Sequence, residues 1–259
     1  MEERLFIRCV DHDIPIVIEY PDEGSFFPCV LMLHGFMAYK EGDGYLFRKL
    51  AKKLKDNGIA SARIDFASMG ENRYSRRNYS LHTMIKETKT VFEYLRKNSS
   101  LNKEKIGILG HSLGGRVAFL CADLNSKCIV TLNGAINIKD EAFLEKLIPF
   151  DFNKEYEIIK TSDGREELLF SNFFIEGRTC LNEKIYDYRN PILVCVASDD
   201  PTIEPQIGYQ FVQDCGMDNV ELMIIQNTNH TFHAKTDDIT KVNELADKLN
   251  VWLDHNLKI

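Results

Sequence analysis

From residue 29 onward, short apolar runs of strand length alternate with longer stretches of helical period, and no other feature narrows the possible folds as much. The runs are "CVLMLHG" (29–35), "IASARIDF" (59–66), "KIGILG" (105–110), "KCIVTLNG" (127–134), "PILVCVAS" (191–198) and "VELMIIQN" (220–227). Most lack a polar alternation, the pattern of strands buried on both faces. The stretches between them are amphipathic. In "YLFRKLAKKLKDNG" (45–58), Leu46, Leu50, Ala51 and Leu54 share one helical face and Gly58 ends the pattern. The periodicity predicts helices over 45–57, 80–98, 113–124, 204–215 and 236–256. Strand, helix, strand in this order implies parallel strands with helices on both faces of the sheet. Two earlier runs, "LFIRCV" (5–10) and "IPIVIEY" (14–20), are separated only by "DHD", too short for a crossover, so they should form an antiparallel hairpin at one edge. The expectation is an α/β fold around one eight-stranded, mostly parallel sheet.

One segment breaks the rhythm. Residues 135–190, between the sixth and seventh expected strands, hold short helical fragments and many aromatics but no strand–helix period. An excursion of this length predicts an inserted cap or lid over a pocket, with a decorative surface insertion as the alternative, leaving 1–134 and 191–259 as the core domain. Phe143, Phe150, Phe152, Tyr156, Phe170, Phe173, Phe174 and Tyr186 are candidates for its roof. A second unusual stretch, "NRYSRRNYS" (72–80), concentrates Arg73, Arg76 and Arg77. It reads as a solvated loop, with capture of an acidic substrate group as the alternative.

Length and charge narrow the function classes. A chain of 259 residues suffices for one large α/β domain. Its 32 Lys+Arg against 39 Asp+Glu leave a formal charge of -7, unsuited to phosphate backbones, so nucleic acid is not an expected partner. "MEERLFIRCV" lacks the basic flank and apolar core of a signal peptide, and no stretch has the length of a membrane span, so a cytoplasmic protein with no membrane partner is expected. Cys9, Cys29, Cys121, Cys128, Cys180, Cys195 and Cys215 are scattered and show no CxxC spacing, as reduced core thiols would be. No metal site or organic cofactor is expected.

The chemistry concentrates around "KIGILGHSLGGRVAFLCA" (105–122), where Gly110, Ser112 and Gly114 fit GxSxG between a strand and a helix. A sharp strand-to-helix turn holds such a serine in strained geometry, and the residues two before and two after must be small. A serine hydroxyl needs a histidine base and an acid to orient that base. In this topology the acid and then the histidine follow the serine in chain order. Asp199 and Asp200 stand at the end of the run 191–198, and His230 and His233 follow the last run, so all three groups reach one rim of the sheet.

Four segments, "LHGF" (33–36), "GHSLGG" (110–115), "ASDDPTIEP" (197–205) and "NTNHTF" (227–232), together resemble the α/β-hydrolase superfamily, most of all the bacterial cinnamoyl/feruloyl-type serine esterases. The resemblance spans nearly the whole chain. It implies the α/β-hydrolase fold, Asp200 as the acid and His230 as the base, with Asp199 and His233 as second choices. It also implies an oxyanion hole made by the backbone N–H groups of Phe36 and Leu113. The place of His34 before a glycine turn suggests loop packing, and His111, pointing away from its neighbour Ser112, should line the pocket or pack. The pattern weakens in "RIDFASMGEN" (63–72), where Ser68, Met69 and Asn72 depart from the family's usual DxxGxGxS, and at Ala197 and Glu204, which replace its Gly and Pro. Those changes bear on substrate shape rather than on the three catalytic groups.

The function so implied is a serine carboxylic-ester hydrolase working through an acyl-enzyme, on small aryl, hydroxycinnamoyl or short-chain acyl esters. A small-molecule ester is the expected partner, and a homodimer is left open. A thioesterase, peptidase or acyltransferase would share the triad. A ligand-binding protein on the same scaffold would lack one or more of its members.

Overall fold

The computed structural model describes residues 1–137, 140–179 and 183–258; Cys180 lies outside them. Strands β1 (Glu2–Cys9) and β2 (His12–Glu19) form the expected antiparallel hairpin, which closes where Cys9 pairs with His12. Then come β3 (Phe27–Leu33), α1 (Leu46–Asp56), β4 (Ala60–Ile64), α2 (Leu81–Lys97), β5 (Leu101–His111), α3 (Leu113–Leu120) and β6 (Ile129–Leu132). The inserted segment contributes α4 (Phe143–Leu147), β7 (Tyr156–Lys160), β8 (Glu166–Phe170) and α5 (Asn172–Thr179). The chain closes with β9 (Ile192–Ala197), α6 (Pro205–Asp214), β10 (Val220–Ile225) and α7 (Thr240–Asn256). Eight strands form one sheet in the order β1-β2-β4-β3-β5-β6-β9-β10. It is parallel from β4 through β10, and β2 runs antiparallel to β4.

The pleat explains why both faces are covered. Successive strand side chains point to opposite faces. On β3, Cys29, Leu31 and Leu33 enter one cluster with Leu81 and Val91 of α2, Phe119 of α3 and Phe211 of α6. Val30 and Met32 enter the other, with Leu50 and Leu54 of α1 and Leu245 and Trp252 of α7. Each helix holds its place by the apolar stripe it buries: on α1 this is Leu46, Phe47, Leu50, Ala51 and Leu54. Ser80 caps α2, its hydroxyl accepting the Thr83 N–H at 3.3 Å. No helix among the described residues is long and apolar enough to cross a membrane.

Three features differ from expectation. Strand β5 starts at Leu101, with a register shift against β3 between Phe27 and Cys29. Helix α3 stops at Leu120, and a 3-10 turn replaces its predicted last residues. The antiparallel pair β7–β8 was not foreseen. Residues 156–160, "YEIIK", and 166–170, "EELLF", each mix apolar and charged side chains on both faces, so neither shows the clean alternation of a half-buried strand.

The β7–β8 hairpin is tied to the sheet's rim. Arg76 pairs with Glu167 and Arg77 with Glu155, while the Arg165 guanidinium donates to the Met37 carbonyl at 2.7 Å. Arg77 also lies over the Phe170 ring, 4.6 Å from its centroid. The solvated-loop reading is therefore corrected for Arg76, whose side chain is 15 % exposed; Arg77, 61 % exposed, stays at the surface while also joining the 72–80 loop to the insertion. Arg73 stays exposed.

Candidate active site

Ser112 follows β5 with φ 55 and ψ −119, a conformation that costs a non-glycine residue about 1–3 kcal/mol and persists only where its surroundings impose it. They do so here. The Ser112 N–H donates to Leu132 O at 2.9 Å, and its own carbonyl accepts the N–H groups of Gly115 and Ala135, both at 3.0 Å. The flanking glycines are required by space. A Cβ on Gly110 would stand 2.1 Å from the Gly114 carbonyl oxygen, and one on Gly114 would stand 2.0 Å from the Leu33 carbonyl oxygen. The turn thus exists only because α3 lies against the ends of β3 and β5.

Asp200 follows β9 and is 5 % exposed. Its Oδ1 accepts the N–H groups of Thr202 and Ile203, at 2.8 and 3.0 Å, and its Oδ2 faces His230 Nδ1 at 2.7 Å. A carboxylate in that position fixes the imidazole tautomer with Nδ1 protonated, leaving Nε2 as the basic atom. The geometry separates the paired candidates. Asp199 is exposed and its carboxylate accepts only the Ser198 hydroxyl at 3.0 Å among the described residues. His233 lines neither cavity at Ser112.

Two cavities meet at Ser112. One, of about 320 Å³, is bordered by Ser112, His230, Asn229, Thr231, Lys235 and Asp43, with Thr161 and Ser162 from the β7–β8 turn. The other, of about 310 Å³, is apolar and bordered by Leu113, Leu144, Leu147, Ile148, Pro149 and Ile203. Phe36, Ile159 and Thr202 stand in the wall of both. Leu113 opens α3, so its N–H points out of the helix start. Neither that group nor the Phe36 N–H donates to another described residue. The loop carrying Phe36 lies close to the serine, since a Cβ on Gly35 would be 3.2 Å from Ser112 Cβ.

With this geometry in view, comparison with known proteins gives a consistent result. Residues 28–138 match a family model described as an alpha/beta hydrolase domain. Est1E from Butyrivibrio proteoclasticus, solved with ferulic acid bound, superposes with a TM-score of 0.81 at 19% identity, covering 98% of this chain and 100% of that one. The chain has the α/β-hydrolase fold. Among curated sequences, human monoacylglycerol lipase ABHD6 is 28% identical over 148 residues, 54% of this chain and 41% of that protein. The 2,6-dihydropseudooxynicotine hydrolase of Paenarthrobacter nicotinovorans is 30% identical over 109 residues, 42% and 28% of the two chains. The matched region spans less than half the length of these curated relatives.

Within this α/β-hydrolase fold, one expectation needs correction. None of the eight aromatic residues named for the roof lines either cavity at Ser112. Some pack on one another and others elsewhere: Phe150, Phe152 and Phe174 lie 5.1 to 5.6 Å apart between ring centroids, Phe173 stacks on Tyr79, Tyr186 lies against Phe211, and Tyr156 is exposed beside Phe170. Aliphatic side chains form the apolar wall. His111 stands as expected, buried and in the lining of the first cavity. Its Nε2 donates to the His230 carbonyl at 2.9 Å, so it reaches the loop of the candidate base. His34 does pack: its Nε2 accepts the Phe66 N–H at 3.1 Å and joins the loops after β3 and β4.

His111 has a consequence for stability. Burial, then the adjacent His230, push its pKa down from 6.5 to about 4. The unfolded chain binds a proton that the fold refuses, so stability present at neutral pH falls as pH drops from about 6.5 toward about 4, by up to ~1.4 kcal/mol per unit. Urea unfolding across that range should show the slope, and His111→Gln, which keeps a donor but does not titrate, should flatten it. Equal slopes in the two proteins would refute this source.

Proposed function

We propose that this chain is a serine hydrolase of carboxylic esters with Ser112 as nucleophile, His230 as base and Asp200 as the group that orients it. One observation carries the reading: the imidazole bound to Asp200 and the strained Ser112 border the same cavity. His230 Nε2 takes the Ser112 proton as the hydroxyl attacks the ester carbonyl. The N–H groups of Phe36 and Leu113 receive the developing oxyanion, an interaction worth roughly 3–4 kcal/mol per donor at comparable sites. His230 then returns the proton to the departing alcohol, and water activated by the same imidazole releases the acyl group. The likeness to hydrolases and to an esterase fold supports the same class.

The proton path also assigns the two cavities. The group that protonates the leaving oxygen must lie beside it, and His230 borders only the polar cavity of this pair. The alcohol portion therefore belongs there, among Asn229, Thr231 and Lys235, and the acyl portion in the apolar chamber under α4. That chamber suits a small aryl or short-chain acyl group, with residues 135–190 acting as the cap. A fluorophosphonate probe should label the protein, and Ser112→Ala should abolish labelling and ester turnover with folding intact. Cleavage of peptides or thioesters without ester turnover would overturn the choice of substrate. A folded wild-type protein that takes no probe would overturn the enzyme.

A further inference from the structure

Asn133, directly after β6, has φ 46 and is 2 % exposed. Both ends of its amide are used, on two different loops. Oδ1 accepts the Ala197 N–H at 2.7 Å, three residues before Asp200, and Nδ2 donates to the His230 carbonyl at 2.9 Å. Its backbone N–H donates to Cys195 O at 2.8 Å. The same turn grips the nucleophile loop, because Leu132 O accepts the Ser112 N–H and the Ala135 N–H donates to Ser112 O. A carboxamide is well suited to this position: it offers a donor and an acceptor in one rigid plane, whereas a carboxylate offers only acceptors.

We propose that Asn133 is a positioning residue that locks the loops carrying Ser112, Asp200 and His230 to one another. The proposal rests on the serine-hydrolase reading. The His230 carbonyl receives two donors, Asn133 Nδ2 and His111 Nε2, both at 2.9 Å, so the backbone from which the imidazole swings is held from two sides. Reacting groups displaced by about 1 Å lose on the order of 10²-fold in rate. An imidazole on an unpinned loop falls in that range.

Two substitutions test it. Asn133→Gly removes the side chain without straining the left-handed backbone. Asn133→Asp keeps the shape and the acceptor for Ala197 but replaces the donor facing His230. Each should lower kcat for p-nitrophenyl butyrate by about 10- to 100-fold with little change in KM, and slow fluorophosphonate labelling in parallel. The low-field proton resonance of His230 Nδ1–H against Asp200 should broaden or vanish in both. A merely structural asparagine would lower the unfolding midpoint and leave kcat and that resonance alone, which overturns the proposal. So would an Asp variant that behaves as wild type while the Gly variant is impaired, since the bond to His230 would then carry nothing. If Asn133→Gly fails to fold by near-UV circular dichroism, Asn133→Asp decides alone. A wild type with neither turnover nor labelling defeats the esterase reading, and the resonance still decides the role of Asn133.

Discussion

His230→Ala should reduce ester turnover by about 10⁴-fold or more, and Asp200→Asn by a comparable factor, while His233→Ala and Asp199→Asn leave it near wild type. The contrast follows from placement. Asp200 is buried with both oxygens engaged, one on two backbone N–H groups and one on the imidazole, so the amide variant would present a donor where only an acceptor fits. It would stabilise the wrong tautomer of His230 and withdraw the basic nitrogen from Ser112. Asp199 is exposed and its carboxylate touches no histidine. The measurement is kcat/KM for one activated ester across the four variants, each checked for folding. A loss concentrated in His233 or Asp199 would reassign the base or the acid.

Gly114→Ala should be among the most damaging single substitutions available to this chain, costing more than about 4 kcal/mol, beyond the usual range for a point change. The added methyl would stand 2.0 Å from the Leu33 carbonyl oxygen and 2.7 Å from that of His34, both backbone atoms at the centre of the sheet. Neither can yield without parting β3 from α3. Gly164→Ala, at the β7–β8 turn, is the control. Its φ of 85 strains an alanine by about 1 kcal/mol, but no atom lies within 4 Å of the new Cβ. Urea denaturation of both variants checks the ranking. A Gly114→Ala protein as stable as the control would mean that α3 does not sit as close as the elbow requires.

What could be read from the sequence is what depends on neighbours along the chain. The sheet was legible because most of its strands from β3 onward are apolar on both faces and its helices carry their own stripes, both being local patterns. The convergence of Ser112 and His230 on one cavity, with Asp200 against the imidazole, was legible because GxSxG and the strand ends place these residues on one rim without knowledge of any contact. The missed features depend on partners remote in sequence. Arg76 and Arg77 meet glutamates 91 and 78 positions away, so a local reading sees only three arginines in a loop. Asn133 precedes a glycine and looks like a turn residue until its bond to His230, 97 positions on, is seen. His111 likewise acts across 119 positions. The aromatics of the insertion were recognised as apolar mass, but their direction was not: they pack on one another, on Tyr79 and Phe211, or reach the surface, and leave the lining to Leu144, Leu147 and Ile148.

The insertion leaves the sheet after β6 and returns to β9, and these two strands are hydrogen-bonded neighbours. Its ends therefore sit side by side whatever lies between them, and doubling such a loop costs only about 0.6 kcal/mol in closure entropy. On the proposed esterase reading, bond breaking and guest selection would be housed in separable parts: lengthening, trimming or exchanging residues beyond that doorway should reshape what is admitted while Ser112, Asp200 and His230 keep their alignment.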